Sequence, residues 1–151
     1  MQLDVKVDIS ENARFIDKVS VLGVATDDGS YRKNVYLEPK VKRRITGYAG
    51  KVEEVHSILV YNLIKDELSK YSSLTICHDI SKNKLRNYLR LLFKSDKYWN
   101  QLEQNKSIKI ISVKGSFVDA YVKEVRKGIR KKGFCITLSR LRKQLKLFNR
   151  K

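Results

Sequence analysis

Three apolar runs early in the chain, LDVKVDIS, KVSVLGVAT and SYRKNVYLE, carry strand-like patterning, and helix-period patterns begin only after them. That order demands a sheet started by neighbouring strands and completed by strands that return through helices. The first run covers residues 2–9, where Leu3, Val5, Val7 and Ile9 alternate with Asp4, Lys6 and Asp8. The second and third, 18–26 and 30–38, flank Asp27-Asp28-Gly29. An Asp-Gly pair between apolar runs is a strong hairpin signal. Three antiparallel strands are therefore expected to open the domain, with Pro39, the only proline, ending the third.

Residues 40–50 are basic, contain Gly47 and Gly50, and read as a loop. From about 51 to 70, Val52, Val55, Leu59, Val60, Leu63 and Ile64 share one broad helical face. A fourth strand is expected at 73–80 and a helix from about Ser81 with Leu85, Tyr88, Leu89, Leu92 and Phe93. A less regular stretch with Trp99 and Leu102 follows, then a fifth strand at 107–113. Ser116 is the expected N-cap of a helix running to about Arg130. The last residues, GFCITLSRLRKQLKLFNRK, read as a short strand and an amphipathic helix. A strand–helix–strand segment implies a parallel pair with a right-handed crossover. The expected fold is α/β, with a mixed five-stranded sheet, three antiparallel strands and then parallel ones, flanked by helices. It occupies residues 1–132, and residues 133–151 form a basic strand–helix extension of the same domain.

At 151 residues the chain suits one domain, and 42% hydrophobic residues support a core. Against 16 acidic residues stand 33 Lys and Arg, a formal charge of +17. Self-repulsion of that size usually accompanies a polyanionic partner, and nucleic acid is the expected one. From Lys123 onward there are 12 basic residues and one acidic, Glu124, so 12 − 1 = +11. Lys114, Arg126, Lys127, Arg130, Lys131 and Lys132 are the candidate phosphate contacts. The sequence has no apolar run of membrane-spanning length and no basic-then-apolar amino-terminal pattern; a cytoplasmic location without a membrane partner is expected. Cys77 and Cys135 lack zinc-site spacing with His56 and His78, and both cysteines read as small buried hydrophobes.

Four acidic residues stand out in so basic a chain. Asp8 and Asp79 interrupt apolar runs, each in an Asp-Ile-Ser triplet, while Glu53 and Asp119 fall in the opening turns of amphipathic helices. A carboxylate in a buried element is costly unless it is paired, hydrogen-bonded or bound to a metal. Singly, each has an ordinary role at a strand end or the positive end of a helix. Together, in the order strand, helix, strand, helix, they point to a shared metal site. Glu54 competes with Glu53 for the second position; Glu53 lies nearer the apolar side of the helical wheel and is preferred.

With those residues in place, the chain resembles the ribonuclease H-like superfamily over about residues 2–130. Asp8 matches the family's first-strand aspartate, in Asp-Ile-Ser rather than Asp-Gly-Ser, and Asp79 matches the aspartate at the carboxyl end of the fourth strand. Val113-Lys114-Gly115 and Val118-Asp119-Ala120 resemble the Val-Lys-Gly that ends the fifth strand and the acidic helix motif after it. The resemblance implies two Mg²⁺ or Mn²⁺ ions, with Asp8 bridging them, Glu53 and Asp79 on one side and Asp119 on the other. The implied activity is metal-dependent endonuclease cleavage of RNA–DNA hybrid or structured nucleic acid such as a junction. The alternative is a non-catalytic RNA- or DNA-binding protein on a similar scaffold. Two departures are visible: no histidine lies between Gly115 and Asp119, and the interval from Asp79 to Asp119 reads as one full helix plus irregular chain. Asp28-Gly29-Ser30 repeats the family's letters but reads as a turn.

Overall fold

The computed structural model describes residues 2–149; residues 1, 150 and 151, at the ends of the segments expected at 1–132 and 133–151, lie outside the described residues. The three opening runs form antiparallel strands β1 (Leu3–Ser10), β2 (Ser20–Ala25) and β3 (Arg32–Leu37). Between β2 and β3 the chain turns at Gly29, whose φ of 74° is left-handed and suits a residue without Cβ. Asp28 locks the turn by accepting from the Ser30 amide and from the hydroxyls of Ser30 and Thr26. These bonds hold its carboxyl at a pKa of about 2.

β4 (Tyr71–Ile76) runs parallel to β1, and β5 (Ile108–Ile110) parallel to β4. A further strand, β6 (Phe134–Cys135), extends the sheet beyond β3, so there are six strands in the order β5-β4-β1-β2-β3-β6 rather than five. The short strand expected in the basic extension is thus β6, and its place in the sheet beside β3 is secured by a side chain: Asn34 Oδ1 accepts from the Gly133 amide at 2.7 Å.

The helices are α1 (Pro39–Lys42), α2 (Val52–Ile64), α3 (Lys82–Leu92), α4 (Lys97–Gln104), α5 (Phe117–Arg126) and α6 (Leu138–Leu145). Several boundaries differ from expectation for local reasons. Residues 40–50 are not one loop, because Pro39 starts α1, where a missing N–H costs nothing. α2 stops at Ile64 rather than 70, and a 3-10 turn at Leu68–Lys70 brings Leu68 into the core. The stretch read as irregular contains α4. Its N-cap is Asp96, which accepts from the amides of Tyr98 and Trp99, and Trp99 stacks on Phe93 with ring centroids 4.7 Å apart. Arg90 of α3 grips Glu103 of α4 with two bonds of 2.9 and 3.0 Å. α5 ends at Arg126 rather than Arg130, followed by Gly128 with a φ of 82°. Among the described residues no helix is long and apolar enough to cross a membrane.

Alternation divides the sheet into two unlike faces. Val5, Val7, Ile9, Leu22, Val24, Leu74 and Ile76 join residues of α2, α3, α4 and α6 in the main core. On the other face Val21 and Ala25 meet Val118, Tyr121, Val122 and Val125 of α5. Asp8 shares this second face, because its cross-strand partner is Gly23 and paired residues project to the same side. A Cβ on Gly23 would stand 2.5 Å from Val122 Cγ1 and 3.2 Å from the Tyr121 ring. α5 therefore lies this close to the sheet only over a glycine. Replacing Gly23 by Ala is expected to lower unfolding free energy by about 1–3 kcal/mol through overpacking, read as an earlier urea midpoint. An unchanged midpoint would show that the close approach is not a constraint.

Candidate metal centre

β1 is an interior strand, so Asp8 is carried into the middle of the sheet with only 6% of its surface exposed. Its Oδ1 accepts from the Ile9 amide at 2.8 Å. Asp79 comes from the neighbouring strand. The Val7–Ile76 and Ile76–Ile110 pairs are the last rungs of β4, and the Cys77 amide still bonds the Val7 carbonyl at 2.9 Å. Beyond that point the chain has no pairing partner. The expected strand 73–80 thus ends at Ile76, and Asp79 lies in the loop after it, with His78 exposed beside it. Asn12, in the loop after β1, fixes this segment by donating to the Asp79 carbonyl at 3.0 Å.

Asp119 is the third residue of α5. Gly115, with a φ of 85°, aims its amide at Asp119 Oδ2 across 3.0 Å, and Lys123 one turn on approaches Oδ1 at 3.3 Å. Ser116 occupies the N-cap position without making a side-chain cap bond, and the Asp119 carboxylate reaches back toward the preceding turn instead.

One potential donor atom from each of Asp8, Cys77 and Asp79 lies within 4.8 Å of the other two. Asp119 lies outside this compact trio but near enough to Asp8 and Asp79 to raise the pKa of both. Three of the four expected acids therefore share one neighbourhood, contributed by β1, the loop after β4 and α5. Glu53 does not join the compact group: α2 packs on the opposite face of the sheet, and Lys84 of α3 holds the Glu53 carboxylate at 2.9 Å. Glu54 does not join it either; burial raises its pKa.

Burial dominates the electrostatics of the group. It pushes the Asp8 carboxyl up to about 6, with the neighbouring Asp119 adding to the rise, and it raises Asp79 as well. Asp119 moves the other way, lowered chiefly by the Gly115 amide. Burial and the two adjacent carboxylates push the Cys77 thiol up to about 12, so it is protonated at neutral pH and donates toward Asp79 Oδ1 at 3.7 Å. The small buried hydrophobe expected from the sequence is thus a half-buried polar member of the group. Its place two residues before Asp79 was the available signal, since i and i+2 share one side of an extended chain.

The six candidate phosphate contacts differ in freedom. Arg126 is tied down: its Nε donates to Ser10 Oγ at 2.8 Å and its Nη1 lies 3.6 Å from Glu11. Arg130 pairs with Glu124 at 3.3 Å and spans the rings of Phe117 and Tyr121. Lys132 lies over the Tyr36 ring. Lys114, Lys127, Lys131 and Lys132 are exposed and lack an ion-pair partner among the described residues. No known protein family, curated protein or solved structure matches the chain.

The Asp8 shift has a stability consequence with a definite sign. A carboxyl whose pKa rises from 3.8 to about 6 on folding binds more protons folded than unfolded, so metal-free stability falls as pH climbs through that window. Asp8→Asn, measured in chelator, is expected to stabilise the fold by about 1–3 kcal/mol at pH 7, with the gain vanishing near pH 4. A variant less stable than the parent at pH 7 would show that the buried carboxylate is already compensated.

Proposed function

We propose that this chain is a divalent-metal-dependent endonuclease of ribonuclease H-like fold, with Asp8, Asp79 and Asp119 as metal ligands. The observation that carries the reading is the meeting of Asp8 and Asp79, with Asp119 of a third element within interaction range of both, in a chain of net charge +17. The element order supports it: three antiparallel strands precede two parallel ones, and α5 follows β5 with its acid in the first turn. Two helices, not one, fill the interval from Asp79 to Asp119, which removes one of the departures noted in the sequence.

The donor set fits Mg²⁺ or Mn²⁺. Hard cations take oxygen ligands, and a protonated Cys77 serves the group as a hydrogen-bond donor that leaves the carboxylates as the charged ligands. When bound, such ions supply water activation and stabilise the leaving oxygen of a phosphodiester. The protein's own residues hold and orient. Asp8 sits on the rigid centre of the sheet, Lys123 steadies Asp119, and Asn12 fixes the Asp79 backbone. Arg126, fastened to Ser10 and Glu11 at the end of β1, is the proposed phosphate contact tied to the strand that carries Asp8. RNA–DNA hybrid or a structured nucleic acid such as a junction is the proposed substrate class.

One observation favours the non-catalytic alternative: the Glu53–Lys84 pair leaves the four-acid set one short. Cleavage of RNA–DNA hybrid, duplex RNA and a four-way junction in Mg²⁺ or Mn²⁺ separates the two readings. Asp8→Asn is expected to reduce cleavage on the order of 10²–10³-fold, the loss of several kcal/mol of transition-state charge stabilisation. Cleavage that survives Asp8→Asn and Asp79→Asn together would overturn the assignment. Mn²⁺ is also expected to raise the melting temperature of the parent chain and not of the double variant; tight, salt-sensitive nucleic-acid binding with no metal effect on melting would establish the binding protein instead.

A further inference from the structure

We infer that the chain has a second nucleic-acid-binding site, a groove between α2 and α6 that takes the phosphate backbone of a single strand. The groove has a volume of about 570 Å³ and is bordered by Tyr61 of α2, by Lys65 at its C-cap, and by Ser139, Arg140, Lys143 and Gln144 of α6. Three of these side chains are cationic and none of the residues lining the groove is acidic. α2 packs on the core face of the sheet, opposite the face that carries Asp8 and α5, so this surface is separate from the acidic centre. It was not among the phosphate contacts expected from the sequence.

Arg140 is the reason to assign a ligand rather than a solvated charged surface. Its guanidinium is oriented without being neutralised: Nη1 donates to Asn62 Oδ1 at 3.3 Å, and the group lies over the Phe134 ring at 4.9 Å. Asn62 is only 3% exposed and is itself fixed, donating to the Ile58 carbonyl at 2.8 Å and to Gln144 Oε1 at 2.6 Å. A buried neutral amide and an aromatic ring thus hold a cation in place, and no ion pair to Arg140 or Lys143 is present among the described residues. Lys65 has only the largely exposed Asp66 at 3.4 Å. A planar guanidinium fork recognises phosphate oxygens in two-point fashion. Ser139 and Gln144 add hydrogen-bonding groups, and half-buried Tyr61 adds an aromatic wall. A basic channel with an aromatic wall suits a single strand, whose bases are free to stack.

The test reads binding, and it stands whether or not the acidic centre cleaves. Fluorescence anisotropy of labelled 20-nucleotide single strands, RNA and DNA, is measured in chelator across 50–200 mM salt. The triple variant Lys65→Gln, Arg140→Gln, Lys143→Gln is expected to bind about tenfold or more weakly, with a salt slope shallower by about 2, as three lost contacts require at about 0.7 per phosphate. The control Lys97→Gln, Lys106→Gln, Lys109→Gln removes the same charge elsewhere and is expected to change the slope little. Arg140→Lys keeps the charge and loses the fork; it is expected to fall between the parent and the triple variant while melting as the parent does. Equal losses in triple variant and control would reduce the groove to non-specific charge and overturn the site. Loss of binding to anionic lipid vesicles with nucleic-acid binding intact would overturn it in favour of a membrane surface.

Discussion

α5 can bring Asp119 to Asp8 only because the β2 residue beneath it has no side chain. Gly23 pairs with Asp8 across the β1–β2 ladder and lies under Val122 and Tyr121 of the helix. One residue therefore decides how near the helix comes to the sheet and how near the third carboxylate comes to the first. The same contact closes the smaller apolar cluster, in which Val21 and Ala25 meet Val118, Val122 and Val125. Packing and site geometry are two consequences of a single close approach.

The centre that results is polar by construction. β1 directs Val5, Val7 and Ile9 into the main core and leaves Asp8 and Ser10 for the face that α5 covers. α5 covers this face, and its first turn contributes Asp119 beside Asp8. The penalty for holding a carboxylate there is visible in Asp8, raised to about 6, and in Cys77, raised to about 12 by burial and by Asp8 and Asp79.

The positive charge is less uniform than its total suggests. Lys42 is fully buried, its ammonium donating to the carbonyls of Phe15 and Lys18 and to Ser20 Oγ, and burial lowers its pKa to about 8. It is a brace for the loop between β1 and β2, unavailable to any polyanion. Arg126 and Arg130 are partly satisfied by Glu11 and Glu124. The exposed lysines near α5 and the oriented Arg140 on the other side of the sheet are the charges that remain for a partner.

Much of the architecture was legible in local pattern. The two-residue alternation of β1, the Asp28-Gly29 turn and the helical face of α2 are properties of neighbouring residues, and they were enough to place three antiparallel strands ahead of the first long helix. A short strand near Phe134 was legible, but its place in the sheet, α4 and the end of β4 at Ile76 were not, because each depends on a partner distant in sequence: Asn34 and β3 for β6, Phe93 for α4, and the loss of pairing past Val7 and Ile110 for β4. The acids divide the same way. Chain order alone singled out four acids, Glu53 no less than Asp8, Asp79 and Asp119. Only the folded chain drew the three aspartates together, brought Cys77 in with them and turned Glu53 to Lys84, since charges separated by dozens of residues acquire a common neighbourhood through strand pairing and helix packing, which no window of sequence contains.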